Sequence, residues 1–166
     1  NIEKILKENQ DKFIAEIAND NSVGQIVLSG KTQDLENLGL VLKEKKIKNI
    51  KLPVSAPFHC SLMGKATEIM REELGKLEFK KGTNPLISNI TADEIFNADE
   101  LKDLLIKQIE NRVRWRESII NMINKGINQF IEIGPGKILS GLVKRINKDV
   151  EVSSINNKED IENISI

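Results

Sequence analysis

This sequence of 166 residues has one cysteine, one histidine, no net charge and no long apolar run, and each scarcity closes off a class of function. A single cysteine, Cys60, rules out an internal disulfide and fits a reducing compartment. The charges balance, 25 Lys+Arg against 25 Asp+Glu, which speaks against broad adhesion to nucleic acid or to an anionic membrane. No apolar stretch is long enough to span a bilayer and no secretory hydrophobic region is evident, so the expectation is a cytoplasmic protein with no membrane partner. Repeats and low-complexity linkers are lacking as well. What is present is an ordinary globular composition, 39% hydrophobic and 30% charged, at a length that can bury a real core.

The lone histidine, His59, stands in Ala56-Pro57-Phe58-His59-Cys60-Ser61-Leu62-Met63, between a proline turn and an apolar helical pattern. One imidazole there can supply general-base chemistry near neutral pH with no competing candidate. The same residue also suits a structural role, capping or packing against the next helix. Cys60 suggests a cysteine nucleophile, but adjacent residues seldom orient for mutual proton transfer, and a cysteine at a helix start is more often structural. Gly134-Pro135-Gly136-Lys137 sets glycines before a helix, as phosphate loops do, yet lacks the Gly-x-x-x-x-Gly-Lys-Ser/Thr spacing and is expected to be a tight strand-to-helix turn. The basic run from Lys43 to Lys51 is expected to be a solvated helix edge.

Apolar spacing gives an alternating map. Ile2, Ile5, Leu6, Phe13 and Ile17 predict a first helical stretch, 25–29 a strand, and Leu35, Leu38, Val41 and Leu42 a helix capped by Thr32. Ile50 and Leu52 open a predicted strand into Pro53, and Leu62, Ala66, Ile69, Met70 and Leu74 line one face of a helix that Ser61 would cap. A strand over 86–90 precedes a helix with Leu101, Leu104, Leu105 and Ile109 on one face. Trp115, Ile119, Met122 and Ile123 form another. A strand over 130–133, a helix over 138–146 with Leu139, Leu142 and Val143 inward, and a strand over 150–155 complete the pattern, and 156–163 shows none. Such alternation predicts an α/β protein in which helices supply the crossovers between parallel strands.

Five stretches carry a resemblance: Asn21 to Gly30, Leu52 to Met63, Pro85 to Thr91, Val113 to Ser118 and Glu132 to Leu142. In content and order they resemble the malonyl-CoA:acyl carrier protein transacylases, over nearly the whole chain but only the C-terminal part of a family member. The resemblance implies an incomplete ferredoxin-like small subdomain over residues 1–53, starting at its first helix. Residues 54–166 would be the C-terminal portion of an α/β-hydrolase-like acyltransferase core. A sheet so divided has an unpaired edge, so the N-terminal segment of the same protein is an expected partner. The family's serine lies upstream in a Gly-His-Ser-x-Gly elbow, and no such pentapeptide occurs here. The arginine that pairs with malonate also lies upstream, so Arg112, Arg114 and Arg116 are expected to dress a solvated helix end.

The implied activity is transfer of a malonyl group from coenzyme A to acyl carrier protein in fatty-acid biosynthesis, through a malonyl-serine intermediate, with no metal and no cofactor beyond the substrate malonyl-CoA. His59 matches the family's base. Gln108 matches a residue whose backbone carbonyl holds the imidazole, which would fix the tautomer; taken alone it is an amide on a helix surface. Asn89 matches an asparagine that orients a loop or the histidine, or is a strand-end turn residue. Asn21 and Gln25 match the border of the acyl and pantetheine cleft, with Val23 where the family usually has proline. Phe58 matches an acyl-pocket position where a bulky ring disfavours branched malonyl groups by about 1 to 3 kcal/mol, and it also suits plain core packing, as does Met63. The alternative reading is a non-catalytic α/β fragment that binds acyl carrier protein or another partner. No nucleic acid is expected.

Overall fold

The computed structural model describes residues 2–163. Helix α1 (Ile2–Glu8) is followed by strand β1 (Ala15–Ser22), strand β2 (Gln25–Gly30) and helix α2 (Thr32–Glu44). The predicted first helix therefore stops early, and Ile17 lies in β1. Asn9 breaks it: its side-chain amide donates to Ile5 O at 2.8 Å while its own carbonyl accepts from the backbone N–H of Lys12 and Phe13. β1 does not show in the apolar pattern because its buried positions are Ala18, Asp20 and Ser22, an alternation with one small apolar residue and two polar ones. It pairs antiparallel with β2, from Ala15 opposite Gly30 to Ser22 opposite Gln25, across a turn at Val23 and Gly24. Gly24 holds φ +79°, which a glycine adopts without steric cost.

Helix α2 is capped by position Lys31 and not by Thr32; the carboxylate of Asp34 instead accepts the Ile14 N–H at 2.9 Å, tying the helix start to the chain entering β1. Ile5, Leu38 and Leu42 form one core with Phe13, Leu28 and Val41 around them. The lysines over 43–51 are exposed, and Lys51 pairs with Glu36 at 2.8 Å, as a solvated edge does. No strand forms at Ile50 and Leu52: a strand needs a neighbour for its backbone groups, none of the described residues offers one, and Ile50 is 75% exposed.

A short 3-10 turn (Ser61–Met63) leads into α3 (Gly64–Gly75), whose cap position is Met63 and not Ser61. The buried residue of α3 is Thr67, while Leu62, Ile69 and Met70 of the predicted inner face are exposed and belong to neither buried core. Strands β3 (Leu86–Ile87) and β4 (Glu94–Ile95) pair antiparallel over two residues each. The predicted 86–90 strand ends at Ile87 because Ser88 folds the chain back, accepting from Ala92 N–H and from Ile90 N–H and donating to Asp93 O. Asn97 caps α4 (Ala98–Lys107) by accepting from Asp99 and Glu100 N–H, and Ile109 falls beyond the helix end.

Helix α5 (Trp115–Asn124), strand β5 (Gln129–Ile133), helix α6 (Ile138–Ile146), strand β6 (Glu151–Ile155) and helix α7 (Lys158–Asn163) complete the chain. β5 and β6 run parallel, Gln129 beside Glu151 through Ile133 beside Ile155, with α6 as the crossover. The architecture is α/β, although two of the three paired sets among the described residues are antiparallel. A second core gathers Ile119, Val143 and Val150 with Trp115 and Phe130. Leu139 points away from it, 42% exposed, whereas Leu142 and Val143 are buried. The two halves are stitched together where Val113 N–H donates to Ala18 O at 2.8 Å and Asp20 N–H donates to Val113 O at 3.0 Å. Among the described residues no helix is long and apolar enough to cross a membrane.

The glycine-rich segment after β5 is a strand-to-helix turn, with Gly134 at φ +140° and Gly136 at φ +95°. The amides at the start of α6 are already taken, since the Glu132 carboxylate accepts from Leu139 N–H at 3.1 Å and Ser140 N–H at 2.7 Å. These bonds, those to Ser140 first, hold the Glu132 carboxyl below its ordinary value of 4.5. A carboxyl lowered on folding adds stability that is full above that ordinary value and fades as pH falls below it. Glu132→Gln is therefore expected to lower the melting temperature at neutral pH, and the gap from the unsubstituted chain is expected to close in acid. A gap of equal size in acid and at neutral pH would contradict this.

Candidate active site

His59 adopts φ +59°, a left-handed conformation uncommon outside glycine and more accessible to histidine than to most residues. The turn that puts it there is built locally. Phe58 N–H donates to Ala56 O at 3.0 Å, and the fully buried Cys60 donates its thiol to Pro57 O at 3.1 Å. Cys60 thus closes the turn as a structural residue. The chain leaving α4 provides the other side. As the helix ends, Gln108 N–H still reaches Leu104 O while Ile109 N–H reaches back only to Ile106 O, and the carbonyls of Gln108 and Ile109 turn towards His59.

Both carbonyls are used. Ile109 O accepts the His59 backbone N–H at 3.1 Å, and Gln108 O lies 2.8 Å from His59 Nδ1. A carbonyl can only accept, so Nδ1 carries a proton, and in the neutral imidazole Nε2 is then the acceptor, on a half-buried residue. Nothing among the described residues hydrogen-bonds Nε2. Gln108 also contributes a side chain: its Oε1 accepts from Asn89 Nδ2 at 3.1 Å. Asn89 in turn is anchored by the residue that caps α5, its carbonyl accepting Arg114 N–H at 2.9 Å, while the Arg114 guanidinium donates to Ile90 O and Thr91 O. A cavity of about 220 Å³ lies beside this pair, lined by Leu86, Ser88, Leu101, Leu104 and Leu105 with Asn89 and Gln108.

His59, Gln108 and Asn89 thus share one network. Phe58 is 49% exposed next to it, outside both cores, and Met63 is half-buried. Asn21 and Gln25 flank the β1–β2 turn and share no hydrogen bond with the network among the described residues; the Gln25 side-chain oxygen accepts from Arg145 of α6. The three arginines do not dress a solvated helix end. Arg112 spans Glu3 at 2.8 Å and Glu117 at 3.3 Å, Arg114 holds the 89–91 turn, and Arg116 forks onto Asp20 at 3.0 and 2.7 Å. That pairing raises the Arg116 guanidinium above its ordinary value and satisfies an aspartate only 4% exposed. Sequence reasoning did not reach the Ile109 carbonyl or the acidic residues of β1. Glu16 and Asp20, four positions apart in β1, were the available signal there; a carbonyl leaves none.

No family model matches the chain. It is 40% identical over 157 residues to malonyl CoA-acyl carrier protein transacylase of Bacillus subtilis, covering 94% of this chain and 50% of that protein. The crystal structure of malonyl CoA-acyl carrier protein transacylase from Clostridium perfringens superposes with a TM-score of 0.92 at 40% identity, over 97% of this chain and 51% of that one. A type II PKS acyl-carrier protein in complex with its malonyl-transacylase gives a TM-score of 0.90 at 31% identity, over 97% of this chain and 52% of that one. The chain thus spans about half the length of the relatives it matches. It is homologous to the C-terminal half of the malonyl CoA-acyl carrier protein transacylases.

Proposed function

We propose that this chain supplies the histidine base and one side of the acyl cleft for transfer of a malonyl group from coenzyme A to acyl carrier protein in fatty-acid biosynthesis. The observation that carries the reading is the Gln108 carbonyl at 2.8 Å from His59 Nδ1, which leaves Nε2 bare. The serine comes from a Gly-His-Ser-x-Gly segment outside this sequence. Nε2 takes the serine proton as the oxygen attacks the malonyl thioester carbon; the C–S bond breaks, and the imidazolium returns the proton to the coenzyme A thiolate. In the second half the carrier thiol gives its proton to Nε2 and its sulfur attacks the malonyl-serine ester, and the proton passes to the departing serine oxygen. The transient positive ring stands against the carbonyl end of α4, where the helix dipole favours a cation.

Asn89 fixes Gln108 by its side chain, Phe58 shapes the acyl pocket towards unbranched malonyl, and Asn21 and Gln25 border the cleft. The reading requires no metal or cofactor, a cytoplasmic setting and a boundary between small subdomain and core near Pro53. Support for the upstream segment comes from the apolar residues left uncovered, among them Ile133 at 78% and Ile138 at 76% exposure at the end of β5 and the start of α6. A two-stranded parallel sheet is also rarely left with open faces. Acyl carrier protein as the acceptor is supported by a structural relative in complex with one. The test is a transfer assay on the parent protein with labelled malonyl-CoA: label is expected on acyl carrier protein. Binding of the carrier without transfer would overturn the reading in favour of a non-catalytic binding module.

A further inference from the structure

We infer that Glu16, on β1, is a positioning residue for the His59 ring. Its Oε1 accepts the Ser61 backbone N–H at 3.2 Å and also the Ser61 hydroxyl. Ser61 opens the 3-10 turn that continues into α3, so the carboxylate sits at the positive start of a helical run. The histidine turn is then held from both sides. Gln108 O and Ile109 O take the ring and the backbone N–H from the end of α4, and Glu16 takes the chain two residues further on, from a different element 45 residues away in sequence.

The second anchor matters because φ +59° at His59 is costly for a residue with a side chain and persists only where its surroundings over-determine it. β1 can serve as a fixed mount. Its Ala18 carbonyl and Asp20 N–H bracket Val113, and Asp20 is forked by Arg116. The Glu16–Ser61 bonds are themselves exposed. Their loss leaves Ser61 to water at a modest cost in global stability, and it removes the anchor that holds the turn two residues beyond His59.

The inference rests on the proposed function only in regarding His59 as the base, and its test reads the ring directly. His59 is the sole histidine, so long-range proton–nitrogen correlation on the ¹⁵N-labelled chain reports one imidazole. The unsubstituted chain is expected to show Nδ1 protonated and Nε2 bare. Glu16→Ala is expected to lower the ratio of that tautomer to the other by roughly three- to tenfold, an exposed hydrogen bond's worth. Glu16→Gln, which keeps an acceptor oxygen, should restore it, and Ser61→Ala should lower it in part. An unchanged ratio in folded Glu16→Ala, or no restoration by glutamine, overturns the inference. If Glu16→Ala fails to fold by circular dichroism, an unchanged ratio in Ser61→Ala overturns it. Failure of malonyl transfer would leave this result standing, whereas a bare Nδ1 in the unsubstituted chain would remove the site reading instead.

Discussion

His59→Ala in the parent protein is expected to slow formation of the malonyl-serine intermediate by about 10²- to 10⁴-fold, the usual contribution of a positioned general base. The loss falls on the chemical step. This chain has no second histidine to stand in. Substrate affinity should change far less, because the thioester is held by the cleft and not by Nε2. Rapid quenching followed by mass measurement of the acylated protein gives the rate directly. Gln108→Ala is the contrast: it keeps the backbone carbonyl at His59 Nδ1 and deletes only the contact with Asn89, so its cost should be much smaller. Acylation at an unchanged rate in His59→Ala would defeat the assignment of the base.

Arg116→Ala is expected to destabilise the fold by about 2 to 4 kcal/mol, because it leaves the Asp20 carboxylate buried without its partner. Asp20 lies 4% exposed in β1, and its two oxygens receive Arg116 Nε and Nη2. The Arg116 side chain is 35% exposed, which places the expected cost below that of breaking a fully buried pair. Denaturant titration of the chain measures it. A double substitution with Asp20→Asn should recover part of the loss, since the aspartate charge is what burial penalises. A change within about 0.5 kcal/mol, the range of ordinary surface substitutions, would contradict the account.

Legibility from sequence followed the physical source of each feature. The helix over Ile138–Ile146 and the strands on either side were readable because glycines punctuate them and β-branched residues fill the strands. β1 was hidden because tertiary partners bury its Asp20 and Ser22, and the partner of Asp20 lies 96 residues away. For the same reason the arginines looked solvated until their acceptors were in view. The apolar pattern at Ile50, Leu52, Ile69 and Met70 was real but buried nothing, since periodicity records a face and not what covers it. The role of Gln108 came from family resemblance alone. A main-chain carbonyl is common to every residue, so neither composition nor spacing could single out Gln108 or Ile109.

In the proposed reaction this chain brings the base and another segment brings the hydroxyl. Mass spectrometry after exposure to malonyl-CoA tests it most directly, with this chain alone and with the chain joined to a segment bearing Gly-His-Ser-x-Gly. The account predicts no covalent malonyl on the chain alone and one malonyl group on the serine of the joined protein. A malonyl adduct on the chain by itself would contradict it.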